Sequence, residues 1–156
     1  MNSDELKITK RNLPHYTYPE ATYFITFCIK HSGLSVNEQI IVLNHLKEGN
    51  NIFYDLISAV IMIDHVHLII HPKLNYSLSR ILKGIKGVSS KKLNEFRRQN
   101  NRKDIFNWQH ESYDRIIRSE FELKETLNYM YNNPFKKGYT DNTDNYHGWF
   151  INYDLI

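Results

Sequence analysis

Cysteine is almost absent from this chain. Cys28 stands alone among 156 residues, so no intrachain disulfide can form, and the expected location is a reducing compartment, the cytoplasm. Long apolar runs are missing as well. No stretch approaches the roughly 18 residues that a membrane-spanning helix needs. The opening segment "MNSDELKITKRNLP" is polar and lacks an apolar h-region, so no secretory signal peptide is expected. There is no repeat, low-complexity tract or linker, which predicts one domain over 1–156, with an N-terminal arm at 1–18 and a C-terminal tail at 139–156. Acidic residues are scarce in one place: residues 80–103 hold nine Lys and Arg against Glu95 alone. That segment carries +8 of a net +3, which leaves −5 on the remainder. A basic segment on a mildly acidic body is the footprint of a polyanion-binding protein, or else a solvated helix face.

The patterns that are present outline the elements. "ATYFITFCIK" (Ala21 to Lys30) is aromatic and β-branched and predicts a strand. "SVNEQIIVLNHLKEG" (Ser35 to Gly49) has apolar residues at helical spacing and ends on Gly. "YDLISAVIMI" (Tyr54 to Ile63) and "HVHLIIHP" (His65 to Pro72) read as two strands, paired antiparallel across a tight connection at Asp64. "SLSRILKGIKGVSSKKLNEFRR" (Ser77 to Arg98) predicts a helix that Gly84 and Gly87 kink or cut short. "YDRII" (Tyr113 to Ile117) predicts a further strand, and Ser119 with Glu122 a capping box. The helix that follows is expected to stop at Asn132 or Asn133, before Pro134, and the tail to pack loosely. This β-α-β-β-α-β-α order predicts an α+β sandwich, with helices on one face of a mostly antiparallel sheet.

Two features carry chemistry. His65 and His67 are two apart on a strand, so they share one face while Val66, Leu68 and Ile70 take the other. Imidazoles on one face of a rigid strand can share a metal ion, and His71 has the same parity further along. They can equally be satisfied surface histidines, and spacing does not separate the two readings. Tyr129 and Asn133 in "NYMYNNP" are four apart on a helix and share a face, flanking a stripe of Leu123, Leu127 and Met130. A tyrosine hydroxyl there can be a nucleophile and the amide oxygen a metal ligand. Spacing alone favours a boundary tyrosine and a C-cap asparagine.

In combination, these stretches resemble a family. "YFITFCI", "AVIMIDHVHLII", "WQHESYDRIIRSE" and "YMYNNPFKKGY" occur in the order found in REP-associated tyrosine transposases. These are a branch of the single-tyrosine transposases named for a His-hydrophobe-His motif, and the resemblance covers most of the chain. It implies a ferredoxin-like or RRM-like fold with the histidine strand central in the sheet. It also implies a divalent metal, Mg2+ or Mn2+, on His65, His67 and Asn133, and Tyr129 as nucleophile with Tyr113 as runner-up. The implied substrate is single-stranded DNA beside a hairpin, cut and rejoined through a 5′-phosphotyrosine by a monomer or homodimer. A host-retained hairpin-binding protein without cleavage and a nickase of the replication-initiator type are the competing readings.

The expected phosphate contacts are Arg80, Lys83, Lys86, Lys91, Lys92, Arg97 and Arg98 in the basic segment, with Arg115, Arg118, Lys136 and Lys137 near the site in sequence. Trp108, Trp149 and Tyr76 could stack bases, although a packing role is the simpler reading of each. No general base is evident. Asp64 departs from the family, where a small or proline-containing turn often precedes the histidines; an acid there could add a charge near the metal or merely cap the turn, and the sequence does not choose between them.

Overall fold

A computed structural model describes residues 20–156; the expected N-terminal arm lies outside them. Strand β1 (Thr22–Ile29) leads to helix α1 (Val36–Glu48), then to β2 (Tyr54–Ile61) and β3 (His65–Pro72). Helix α2 (Leu78–Gln99), strand β4 (Trp108–Ile117), helix α3 (Glu120–Lys136) and the short strand β5 (Trp149–Ile151) follow. The five strands form one antiparallel sheet in the order β4-β1-β3-β2-β5, so the histidine strand is central. The α+β class inferred from sequence describes this architecture, and the expected β-α-β-β-α-β-α order holds through α3, with β5 added after it.

The sheet is buried on both faces. Ile25, Phe27, Leu56, Val66, Leu68 and Ile70 point to one side, where Val42, Leu43 and Leu46 of α1 and Ile81, Ile85 and Leu93 of α2 cover them. Phe24, Ile57, Val60 and Ile69 point to the other, under Leu123, Leu127 and Met130 of α3. The expectation of helices on one face holds for α1 and α2 and is corrected for α3. The cause is a second, smaller apolar set on the histidine face, which needs cover of its own.

Three local expectations change. Helix α2 runs through Gly84 and Gly87 without a break. Its buried stripe of Ile81, Ile85, Ser89 and Leu93 outweighs the roughly 1 kcal/mol that each glycine costs. Helix α3 passes through Pro134 and ends one turn later. There Gly138 takes φ +75°, the Gly138 N–H donates to Phe135 O (2.9 Å) and the Tyr139 N–H to Pro134 O (2.9 Å). That paired closure needs a left-handed residue after the C-cap, and glycine supplies it without strain. Ser119 Oγ accepts from the Glu122 N–H, but the Glu122 carboxylate accepts from Arg118 N–H, so the capping box is only half formed.

The tail is ordered, not loose. Strand β5 pairs with β2, while Tyr146 and Ile156 are buried in the second core. The Tyr146 hydroxyl lies 2.7 Å from both Gln39 Oε1 and Ile61 O, tying the tail to α1 and β2. Among the described residues no helix is long and apolar enough to cross a membrane.

Candidate active site

The pairing register builds the site. Across β1, β3 and β4, Thr26 stands opposite His67 and also opposite Tyr113, while Cys28 stands opposite His65. Residues paired across antiparallel strands project to the same face. Thr26, Cys28, Tyr113 and the two histidines therefore share the face that α3 covers.

His67 is the buried member, only 5 % exposed. Its ring stacks on Phe24 at 5.4 Å between centroids and meets the His65 ring at 4.6 Å. Nδ1 lies 2.6 Å from Thr26 Oγ1. Nε2 is buried with no hydrogen-bond partner among the described residues. Burial, with a smaller contribution from His65, pushes the His67 pKa down to about 3, against a weaker opposing pull from Asp64. His67 is therefore a neutral imidazole with one uncommitted nitrogen. His65 is more open, and its Nδ1 lies 2.6 Å from Asp64 Oδ1.

Helix α3 brings the third component. The Tyr129 ring sits 5.4 Å from the His67 ring and 6.4 Å from Phe24, both edge-on, and Tyr129 is 53 % exposed. Tyr129 and the histidines thus meet within one chain. Asn133, buried, lies one turn further along, about 6 Å up the helix axis. Because α3 continues through Pro134, Asn133 is an interior helical residue and not a C-cap. Tyr113, also exposed, is two strands from His67, about 10 Å across the sheet. Tyr131 turns away and packs its ring 5.4 Å from Trp149.

The donor set fits a hard or borderline divalent ion. A neutral imidazole nitrogen, buried and unpartnered, is costly to leave unsatisfied unless something binds it. His65, His67 and the Asn133 amide oxygen are the residues that would share the ion. Burial and then the Asp64 carboxylate push the Cys28 thiol up, against a weaker pull from Lys86. Among the described residues no three His, Cys, Asp or Glu side chains form a metal cluster.

The basic residues divide. Arg115 lies 5.1 Å over the Phe24 ring and donates from Nη2 to Thr126 Oγ1 (2.8 Å). It lines a recess of about 210 Å³ with Phe121, Glu122, Glu125, Thr126 and Tyr129. Arg118 and Lys136–Lys137 are exposed at the two ends of α3. The α2 residues lie on the opposite side of the sheet from the histidines. Lys83 and Lys91 are exposed there, Arg80 stacks on Tyr76 at 5.1 Å, Lys92 pairs with Glu48 and Arg98 with Glu95.

Two expectations are corrected. Arg97 is 1 % exposed, its Nε 2.6 Å from the fully buried Glu38 and its Nη1 3.2 Å from Asp104, so it is a core ion pair and no phosphate ligand. Lys86 Nζ donates to the carbonyls of Gln109, His110 and Glu111 (3.1, 3.1 and 3.4 Å), strapping α2 to the edge strand. Trp108 is buried, with Nε1 bonded to Ser89 Oγ (2.8 Å), so it offers no free stacking face, while Trp149 is half-buried and meets the Tyr131 ring edge-on.

Thr26, Phe24 and Arg115 complete the surroundings of His67. Only Arg115 stood out in the sequence. Strand parity puts Thr26 and Phe24 on one face of β1, but which strand they meet is a matter of register, which parity does not contain.

Residues 41–133, more than half of the chain, match the family model described as "Transposase IS200 like". Among solved structures, a REP-associated tyrosine transposase bound to a REP hairpin is 20% identical with a TM-score of 0.62, over 90% of this chain and 82% of that one. A candidate transposase from Deinococcus radiodurans R1 is 17% identical with a TM-score of 0.52, over 79% of this chain and 97% of that one. At such identities these two likenesses concern the fold. No curated protein matches the sequence.

Proposed function

The chain belongs to the IS200-like transposase family, and on that premise we propose that it cuts and rejoins single-stranded DNA beside hairpins, with Tyr129 as the nucleophile. The observation that carries this reading is the meeting of Tyr129 with His67, whose buried Nε2 has no hydrogen-bond partner among the described residues.

A divalent ion, Mg2+ or Mn2+, on His65, His67 and Asn133 would supply Lewis-acid polarisation of the scissile phosphate. The protein's own residues do the rest. The Tyr129 oxygen attacks phosphorus in line, giving up its proton. A new O–P bond forms, the P–O3′ bond breaks, and the departing 3′ oxygen takes a proton to become a free 3′-OH. The strand end stays attached as a 5′-phosphotyrosine, which conserves the phosphodiester. A second 3′-OH can then reverse the step and join strands without an external energy source. Arg115, fixed between Phe24 and Thr126, stands beside Tyr129 as a cation for a flanking phosphate. Tyr129 needs no second subunit, so the proposed site is complete in a monomer.

The exposed cations suggest how DNA would lie. Arg118, Lys136 and Lys137 bracket Tyr129 on α3, and Lys83 and Lys91 sit across the sheet on α2. A hairpin with a single-stranded flank is long enough to engage both by passing the β4 edge. This use of DNA is expected in the cytoplasm, where the chromosome is accessible.

The test is a covalent-adduct gel with hairpin-bearing single-stranded DNA and Mn2+. Wild type is expected to form a protein–DNA adduct, and Tyr129→Phe none. An adduct formed in full by Tyr129→Phe and lost in Tyr113→Phe would transfer the role to Tyr113, which is exposed on the same sheet face. Hairpin binding without any adduct would identify a binding protein that has given up cleavage.

A further inference from the structure

Both histidines are held by the same ring nitrogen. His67 Nδ1 meets Thr26 Oγ1 and His65 Nδ1 meets Asp64 Oδ1, each at 2.6 Å. An ionised carboxylate only accepts, so its contact with neutral His65 requires the proton on Nδ1. The lone pair is then left on Nε2, the nitrogen available to an ion. Thr26 is a hydroxyl and suits either tautomer, so it fixes the ring of His67 without fixing its proton. Asp64 therefore does for His65 what Thr26 cannot do for His67: it selects a tautomer.

Asp64 is not needed to shape the turn. The β2–β3 connection is held by backbone bonds, Ile29 N–H to Asp64 O (2.9 Å), Leu34 N–H to Ile63 O (2.7 Å) and Met62 N–H to His65 O (2.8 Å). The carboxylate itself is 73 % exposed, and its hydrogen bond is to His65. An exposed pair of this kind adds little to stability. A side chain that the fold does not require, placed on one nitrogen of a candidate ligand, is an orienting group.

We propose that Asp64 is a positioning residue for the metal site, holding His65 as the Nδ1–H tautomer with Nε2 turned to the ion, and is not itself a ligand. This rests on the reading of His65 and His67 as metal ligands.

The experiment uses the full chain without DNA. Long-range imidazole 15N spectra of the metal-free protein are expected to show His65 as the Nδ1–H tautomer in wild type. Asp64→Ala should shift it toward Nε2–H, the form free imidazole prefers. Asp64→Asn, whose amide oxygen still accepts, should keep the wild-type tautomer. Titration with Mn2+ alone should show about a 10-fold weaker Kd for Asp64→Ala, with Asp64→Asn nearer to wild type. The unfolding midpoint of the metal-free variants should stay at the wild-type value.

An unchanged tautomer and unchanged Mn2+ affinity in Asp64→Ala would overturn the role. So would Asp64→Asn as weak as Asp64→Ala with its tautomer intact, since charge and not orientation would then be acting. His67→Ala separates the two levels. If it loses Mn2+ while Asp64→Ala keeps wild-type affinity, the Asp64 role alone fails. If His67→Ala binds Mn2+ like wild type, the metal reading fails and takes this inference with it.

Discussion

Acid should unfold this protein in part through His67. Its pKa falls from an ordinary 6.5 to about 3 in the folded state, because the ring is buried between Phe24, His65 and Tyr129. A depressed folded pKa means the unfolded chain binds the proton first. The contribution to stability is thus fully present above pH 6.5 and is lost as pH falls toward 3. Each pH unit in that window costs about 1.4 kcal/mol, so the loss from this ring is about 2 kcal/mol by pH 5 and approaches 5 kcal/mol near pH 3. The assay is urea unfolding in EDTA from pH 8 to pH 3.5, for wild type and His67→Gln. Other titrating groups are shared and cancel in the difference. The wild-type advantage or deficit should be constant above pH 7, then fall relative to the variant by about 2 kcal/mol between pH 8 and pH 5. Parallel curves would refute the reasoning, since they would mean that folded His67 takes its proton as readily as the unfolded chain does. The same burial keeps His67 deprotonated near neutrality, so an ion would not have to displace a proton from it.

Other consequences follow from the same structure. Arg97→Met leaves the fully buried Glu38 with Arg102 at 3.2 Å as its remaining cation among the described residues, beside the Ser35 N–H at 3.0 Å, and is expected to cost about 3 kcal/mol by chemical denaturation; a loss under about 1 kcal/mol would show the pair is not structural. Gly138→Ala, at φ +75°, should cost about 1 kcal/mol by frustrating the closure of α3, with a thermal melt as the readout. Lys83→Ala and Lys137→Ala should each weaken hairpin DNA binding across sequences and lower the slope of log K against log salt by about one. Lys86→Ala, by contrast, should chiefly lower stability, because its ammonium is bonded to β4 carbonyls.

The local readings were legible because they depend on periods of two and of 3.6. The parity of "HVHLII" alone separates His65 and His67 from Val66, Leu68 and Ile70, and the structure places those two sets on opposite faces. The i, i+4 spacing of Tyr129 and Asn133 likewise needs no tertiary information. The end of α3 is set by Gly138 and not by Pro134. Proline forbids only one hydrogen bond, whereas a glycine able to turn left-handed lets the chain close the helix one turn later. The order of the tail is not legible in the sequence, because a three-residue strand has no period to detect; β5 pairs with the edge that β2 offers.

What the sequence determined by itself is the set of elements and the faces of their side chains, since strand and helix geometry follow from neighbours in the chain. What only the tertiary structure decided is who meets whom. Register put Thr26 against His67, and the turn put Asp64 against His65. A second apolar patch drew α3, and with it Tyr129, onto the histidine face. Burial took Arg97 out of a run of basic residues that looked alike, because a guanidinium at the core side of a helix must pair with Glu38 while its neighbours remain in water. Apart from the Asp64–His65 contact, which depends on the shape of a turn, those choices are made by contacts between residues far apart in sequence, and no local period encodes them.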